Sequence, residues 1–243
     1  MNTVLITGCS SGFGLETARY FLANNWRVIA TMRTPDENLF PKSERLRVLG
    51  LDVTDEASIQ QALEDAGPID VLVNNAGIGL LGAVEGIPMA TAREVFETNT
   101  LGTIAMTQAV LPQFRQRRAG VIINVTSSVT LLPLPLLAVY TASKAAVNAF
   151  TECLALELSA FNVRVNLVLP GRAPETRFGE NARGRILIPE AYTSLAEQIF
   201  SGWGEPSEVT LSMDVAQAVW HAANDSQSPM HIAAGADAVA RAG

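Results

Sequence analysis

Residues 3–14 constrain the fold of this chain more than any other stretch. A β-branched apolar run over residues 3–7 passes directly into Thr7-Gly8-Cys9-Ser10-Ser11-Gly12-Phe13-Gly14, and an apolar helical pattern follows at once. Glycines between a strand and a helix allow a tight bend and a close approach of backbone to backbone. The helix start presents free N–H groups and the positive end of its dipole, which suit a pyrophosphate. Glycines alone often mark only a turn. The strand–turn–helix context is what points to a dinucleotide.

The rest of the chain repeats the same alternation. Short apolar runs predict strands over residues 3–7, 27–32, 47–51, 71–74, 121–125, 163–169 and 230–233. Helical periods predict helices over residues 14–24, 58–66, 92–116 and 142–159, with Asn25, Gly67 and Gly120 marking ends. This is the pattern of a doubly wound, Rossmann-type α/β fold: seven parallel strands in one sheet with helices on both faces, forming a single domain over residues 1–243. Residues 171–212 are irregular for roughly forty positions, far longer than an ordinary connection, and read as a substrate-binding loop or lid. Within them Pro189 and Gly202 bracket a helix whose apolar face is Tyr192, Leu195, Ala196, Ile199 and Phe200. That helix either packs on the core or closes over a hydrophobic ligand.

Composition excludes several classes of function. A net charge of −7 and a pI near 4.9 oppose a surface for nucleic acid or anionic lipid. The densest basic run, Arg115, Arg117 and Arg118, reads as a solvated helix end stopped by Gly120. Cys9 and Cys153 both fall in regular segments and make no disulfide framework, which fits a reducing cytoplasm. No leader or membrane span is read, and His221 and His231 have no partners at metal-ligand spacing, so neither a membrane nor a metal is expected.

Two further constellations carry chemistry. Tyr140 and Lys144 are four residues apart and share a helix face, where an ammonium can favour the phenolate and bring a tyrosine towards use as a general acid/base. Arg33 follows the second strand, where a dinucleotide's adenosine ribose belongs, and a guanidinium there suits the 2′-phosphate of NADP.

The glycine spacing, Asn74-Asn75-Ala76-Gly77 and Tyr140-Thr141-Ala142-Ser143-Lys144 together resemble the short-chain dehydrogenase/reductase family, on its hydroxysteroid and retinol dehydrogenase side. The likeness runs from the glycine turn to Gly235-Ala236-Asp237. It implies an NADP(H)-dependent oxidoreductase that interconverts a carbonyl and an alcohol, assembled as a homodimer or homotetramer. It implies a catalytic tetrad of Asn99, Ser127, Tyr140 and Lys144. Ser127, thirteen residues before Tyr140, is selected over Thr126 and Ser128 by the family's usual interval. Ser127 then orients the carbonyl, Tyr140 exchanges the proton, Lys144 lowers the tyrosine pKa and holds the nicotinamide ribose, and Asn99 positions a relay water. The implied cofactor contacts are Gly8, Ser10, Ser11, Gly12, Phe13, Gly14, Arg33, Asp52, Val53, Asn75, Ala76, Gly77, Tyr140, Lys144, Pro170 and Gly171. Asp52 could equally cap its own turn, and Ser127 could be a helix or turn cap.

Three features depart from the family pattern or narrow it. The glycine turn carries Ser10 and Ser11 where a second basic residue is frequent. Thr176 comes one position later than the family's nicotinamide-contacting threonine, so Pro170 and Gly171 are the better contacts. The segment Leu131-Leu132-Pro133-Leu134-Pro135-Leu136-Leu137 is apolar beside a polar centre, and predicts either a wall for a hydrophobic ketone, aldehyde or alcohol or a packing surface. Two other readings stay open: an epimerase- or dehydratase-type enzyme that retains its nicotinamide, and a non-catalytic nucleotide sensor.

Overall fold

The computed structural model describes residues 1–176, 185–203 and 208–243. The strands are β1 (Thr3–Ile6), β2 (Arg27–Met32), β3 (Leu46–Gly50), β4 (Val71–Asn74), β5 (Leu81–Gly82), β6 (Gly120–Val125), β7 (Val163–Pro170), β8 (Ile186–Leu187) and β9 (His231–Ala234). The helices are α1 (Gly12–Ala23), α2 (Glu56–Ala66), α3 (Met89–Phe96), α4 (Gly102–Arg117), α5 (Ala138–Leu158), α6 (Thr193–Trp203), α7 (Ser212–Asn224) and α8 (Ala236–Ala242).

Seven of the strands form one parallel sheet in the order β3-β2-β1-β4-β6-β7-β9. The Rossmann-type expectation holds. Strands covered on both faces are near-continuous apolar runs, and β1 and β4 are buried at every residue. One face carries Phe21, Trp26, Val215 and Val219 from the α1 and α7 side. The other carries Ile59, Met106, Val110, Phe114 and Leu154 from α2, α4 and α5. Because β1 lies between β2 and β4, the order of winding reverses there, and the crevice beyond their carboxyl ends is the binding position of such sheets.

Several sequence expectations need correction. The pair β5 and β8 forms a second, two-stranded parallel sheet that was not foreseen, with Leu81 opposite Ile186. The helix read over residues 92–116 begins at Met89 and is interrupted by one turn of π-helix, Glu97–Leu101, where the Gly102 N–H bonds to the Glu97 carbonyl five residues back. Gly120 does not stop that helix: Arg118 takes the left-handed position at φ 52°, and Gly120 starts β6 beneath the Phe114 ring, where a Cβ would lie 2.4 Å from it. The basic run is only partly a solvated helix end, since Arg117 pairs with Asp70 at 3.4 Å and Arg118 donates to the Ala160 carbonyl at 2.7 Å. Asn25 and Gly67 do close their helices, at φ 66° and 70°.

The 171–212 segment lies partly outside the described residues. Its helix is α6, and Tyr192, Ala196, Ile199 and Phe200 pack on Leu81, Ala83 and Leu136, whereas Leu195 is 38% exposed and leaves the predicted face. Both cysteines are free, and among the described residues no helix is long and apolar enough to cross a membrane.

Candidate active site

The glycine turn, Arg33, Asp52, Asn75-Ala76-Gly77 and Ser127 follow the carboxyl ends of β1, β2, β3, β4 and β6, and Pro170-Gly171 mark that of β7, so the parallel sheet delivers them to one edge. Gly8 (φ 74°) and Gly12 (φ 56°) take left-handed conformations open to glycine. Gly14 is required by contact: a Cβ there would stand 2.4 Å from the Gly8 carbonyl oxygen and 2.5 Å from Asn75 Nδ2. The turn is tied to the next loop by Thr7, whose Oγ1 accepts from the Asn75 and Ala76 N–H groups at 3.0 and 2.9 Å. Asn75 Nδ2 returns bonds to the Thr7 and Gly8 carbonyls. Ser11 precedes α1 without a side-chain cap bond, Ser10 is exposed beside it, and Phe13 packs into the core instead of facing out.

Arg33 is exposed after β2, and its charge helps hold the Asp52 carboxyl below its ordinary range. The larger causes are bonds to Asp52 from the Thr54 N–H (3.0 Å) and hydroxyl (2.7 Å), so Asp52 does cap its own turn. Val53 is buried against Gly102, where a Cβ would meet its Cγ2 at 2.8 Å.

The tetrad residues come together from three elements. Ser127 follows β6, accepts from the Val129 N–H at 3.3 Å and so caps a short turn, and hydrogen-bonds the Tyr140 hydroxyl. Tyr140 and Lys144 are 7% and 5% exposed on α5, and the Lys144 ammonium donates to the Val125 carbonyl at 3.0 Å. The turn Asn75-Ala76-Gly77 abuts both remaining members: a Cβ on Gly77 would lie 3.2 Å from Asn99 Oδ1 and 3.3 Å from Lys144 Nζ. Asn99, inside the π turn, is fully buried. Its side-chain amide hydrogen-bonds both peptide groups of Ile78 and, at 3.1 Å, Ser143 Oγ, and so clamps these segments together.

The electrostatics differ from the expectation that Lys144 lowers the tyrosine. Burial pushes the Tyr140 phenol well above its ordinary value, opposed by the Ser127 hydrogen bond, and burial brings the Lys144 ammonium down to about 8. Removing either group from water disfavours its charged form.

Beyond β7, Gly171 N donates to Thr210 Oγ1 at 2.8 Å and Arg172 N to Asp237 Oδ2 at 2.7 Å. Pro170 ends the strand, buried. Thr176 proves closer to the site than its late position implied: it is buried and packs over the glycine turn, its Cβ 3.3 Å from where a Gly12 Cβ would be. The leucine segment divides. Leu131 and Leu132 are 42% and 50% exposed, while Leu136 packs under α6 and Leu137 touches both that cluster and the one containing Tyr140.

Thr7, Ser143, Thr210 and Asp237 are buried polar residues of the site that sequence reasoning did not assign. Ser143 lay inside the quoted Tyr140 to Lys144 stretch, and its position three residues after Tyr140 was the available signal. His221 pairs with Asp225 and His231 with Glu152, away from these groups. Among the described residues no group of three or more His, Cys, Asp or Glu could hold a metal ion.

A family model described as short chain dehydrogenase matches residues 2–185. The 3-ketodihydrosphingosine reductase of Bacteroides thetaiotaomicron is 43% identical over 175 residues, covering 69% of this chain and 62% of that protein. Retinol dehydrogenase 8 of Bos taurus is 41% identical over 181 residues, covering 70% of this chain and 58% of that protein. These matches thus span 62% and 58% of the relatives' own length. A short chain dehydrogenase from Burkholderia cenocepacia, solved in complex with NADP, has a TM-score of 0.80 at 27% identity, covering 99% of this chain and 91% of that one. Another solved structure, 26% identical, holds NADH.

Proposed function

This chain belongs to the short-chain dehydrogenase family, and from that premise we propose that it is an NADP(H)-dependent oxidoreductase interconverting a hydrophobic ketone or aldehyde and its alcohol. The observation that carries the reading is the buried hydrogen bond between Ser127 and Tyr140 beside Lys144, at the carboxyl edge of the sheet that also carries the glycine turn.

The residues fit a nicotinamide dinucleotide. The first N–H groups of α1 have no side-chain cap, and Arg33 stands exposed at the adenosine end, both of which suit phosphate. Gly8, Ser10, Ser11, Gly12, Phe13 and Gly14 would hold the pyrophosphate. Arg33 would take the 2′-phosphate, Asp52 and Val53 the adenine, and Asn75, Ala76 and Gly77 the ribose side. Tyr140 and Lys144 would hold the nicotinamide ribose, and Pro170 and Gly171 the nicotinamide itself. When bound, the nicotinamide supplies or accepts the hydride.

The chain's own groups then handle orientation and the proton. Ser127 donates a hydrogen bond to the carbonyl oxygen and fixes its direction. Tyr140, kept protonated at neutral pH by burial, gives that oxygen its proton in reduction and recovers it in oxidation. The resulting phenolate is stabilised by the hydrogen bond from the Ser127 hydroxyl. Asn99 acts by holding this arrangement rigid.

The hydrophobic substrate follows from the apolar continuity between Tyr140, Leu137, Leu136 and the face of α6. Assembly as a dimer or tetramer through α4 and α5 belongs to the same reading, supported by Leu156 on α5 being 78% exposed.

The test follows NADPH and NADH absorbance separately, with small and bulky hydrophobic ketones and aldehydes, beside a Tyr140→Phe control. NADPH oxidation that outpaces NADH and disappears in the control upholds the reading. Binding of nucleotide with no turnover across the panel would instead favour a sensor or a cofactor-retaining enzyme.

A further inference from the structure

We propose that α8 is a positioning element for the reaction site, in which Asp237 fixes the loop after β7 and Arg241 fixes the loop after β6. This rests on the dinucleotide reading above.

The contacts are specific. Asp237 is 9% exposed; its Oδ2 accepts the Arg172 N–H at 2.7 Å, and its Oδ1 lies 2.7 Å from the Thr210 hydroxyl, whose one proton it shares with the Ala234 carbonyl at 2.8 Å. Thr210, fully buried, accepts the Gly171 N–H at 2.8 Å and sends its own N–H to the Arg172 carbonyl at 2.8 Å. The approach is close enough that a Cβ on Gly171 would fall 2.1 Å from Asp237 Oδ1. One helical turn later Arg241 Nη1 donates to Ser128 Oγ at 3.0 Å, and Ser128 is fully buried next to Ser127.

Residues four apart share a helix face, so one face of α8 reaches two loops on adjacent strands. An acid in the first turn and a base in the last also complement the helix dipole. The dipole accounts for the signs of the charges but not for their partners. Among the described residues neither group forms an ion pair; both spend their polar atoms on the loops that flank the Ser127 hydroxyl and the Pro170-Gly171 backbone. Those loops set the distance between the nicotinamide and the carbonyl, where a displacement of about 1 Å can lower the rate about a hundredfold.

Three variants separate this from a merely structural role: Asp237→Asn, Arg241→Ala and Arg241→Lys. Each is measured for NADPH Kd by nucleotide fluorescence, for the rate of one turnover with a ketone that the wild type reduces, and for urea unfolding. Asp237→Asn keeps only part of its acceptor set and should weaken NADPH binding about tenfold. Arg241→Ala should leave NADPH binding within about twofold and slow the turnover about tenfold, with most of the rate restored in Arg241→Lys. Changes in unfolding alone, or equal losses of binding and rate in both positions, would overturn the proposal. Arg241 is a half-buried surface side chain, so its variants remain informative if Asp237→Asn does not fold. If no carbonyl is turned over, the function reading fails by itself. The Asp237→Asn Kd then decides the positioning claim: a loss upholds it and unchanged binding overturns it.

Discussion

Asn99 grips Ile78 by both of its peptide groups, Oδ1 accepting the Ile78 N–H at 2.8 Å and Nδ2 donating to the Ile78 carbonyl at 3.0 Å. The same Nδ2 reaches Ser143 Oγ, which donates to the Tyr140 carbonyl at 2.7 Å. One side chain therefore locks the Asn75-Ala76-Gly77 turn and the start of α5 to the π turn between α3 and α4. Asn99→Ala should leave three partners without this bond, two part-buried on Ile78 and one buried on Ser143, and lower the unfolding free energy by about 2–3 kcal/mol. Urea unfolding measures this, and a loss below about 0.5 kcal/mol would show that the clamp is not under load.

The glycine turn can be tested by contrast. At Gly14 an added methyl meets backbone and amide atoms at 2.4–2.5 Å, whereas at Gly50 its nearest neighbour is Pro35 Cγ at 3.7 Å. Gly14→Ala should destabilise by about 1–3 kcal/mol and impair nucleotide binding, while Gly50→Ala should leave binding intact. Equal behaviour of the two in thermal melts and nucleotide titrations would contradict the packing argument.

Stability should carry two opposing pH slopes. Burial brings Lys144 from 10.5 to about 8, so between these values the unfolded chain holds a proton that the folded one has released, and stability rises with pH. The penalty is fully present below pH 8. Cys9 behaves oppositely: its thiol moves from 9.0 to about 12, the folded chain keeps the proton longer, and stability falls across that window. The difference in unfolding free energy between wild type and Lys144→Met should therefore grow by about 3 kcal/mol from pH 8 to 10.5. The difference between wild type and Cys9→Ala should shrink above pH 9. Flat differences would mean that neither group titrates out of a buried site.

Arg33 is an exposed cation just past the end of β2, where the proposed function places the 2′-phosphate of NADP. Arg33→Ala should weaken NADPH by about ten- to a hundredfold, the range of a hydrogen bond to a charged group, and leave NADH within about twofold. Fluorescence titration of both nucleotides reads the ratio directly. A parallel loss of both would remove Arg33 from phosphate recognition.

What could be read from the sequence was set by local pattern. β2 and β4 match their predicted bounds to the residue, because short, mainly apolar runs rich in β-branched residues read as buried strands. Ser127 and Tyr140 meet because both sit at the carboxyl edge that any parallel sheet presents to a ligand. The π turn was hidden, since one extra residue of winding hardly disturbs the apolar period of residues 92–116 and reveals itself only through the distant partner Ile78. β5 and β8, two residues each, exist only through their pairing and carry no period at all. Leu195 fits the apolar stripe of α6 yet stays exposed, because a stripe says which residues can pack and not how far the opposing surface extends. Thr176 and Asp237 reach the site through tertiary contact with Gly12 and Arg172, which spacing cannot express.

The proposed function stands on hydride transfer to a carbonyl with Tyr140 supplying the proton. Its most direct test uses NADPH deuterated at the transferable C4 position of the nicotinamide, a hydrophobic ketone, and mass analysis of the product from wild type and Tyr140→Phe. One deuterium is expected on the carbinol carbon with the wild type, and a rate lower by about a hundredfold or more in the variant with NADPH still bound. Alcohol product without deuterium, or undiminished turnover by Tyr140→Phe, would contradict it.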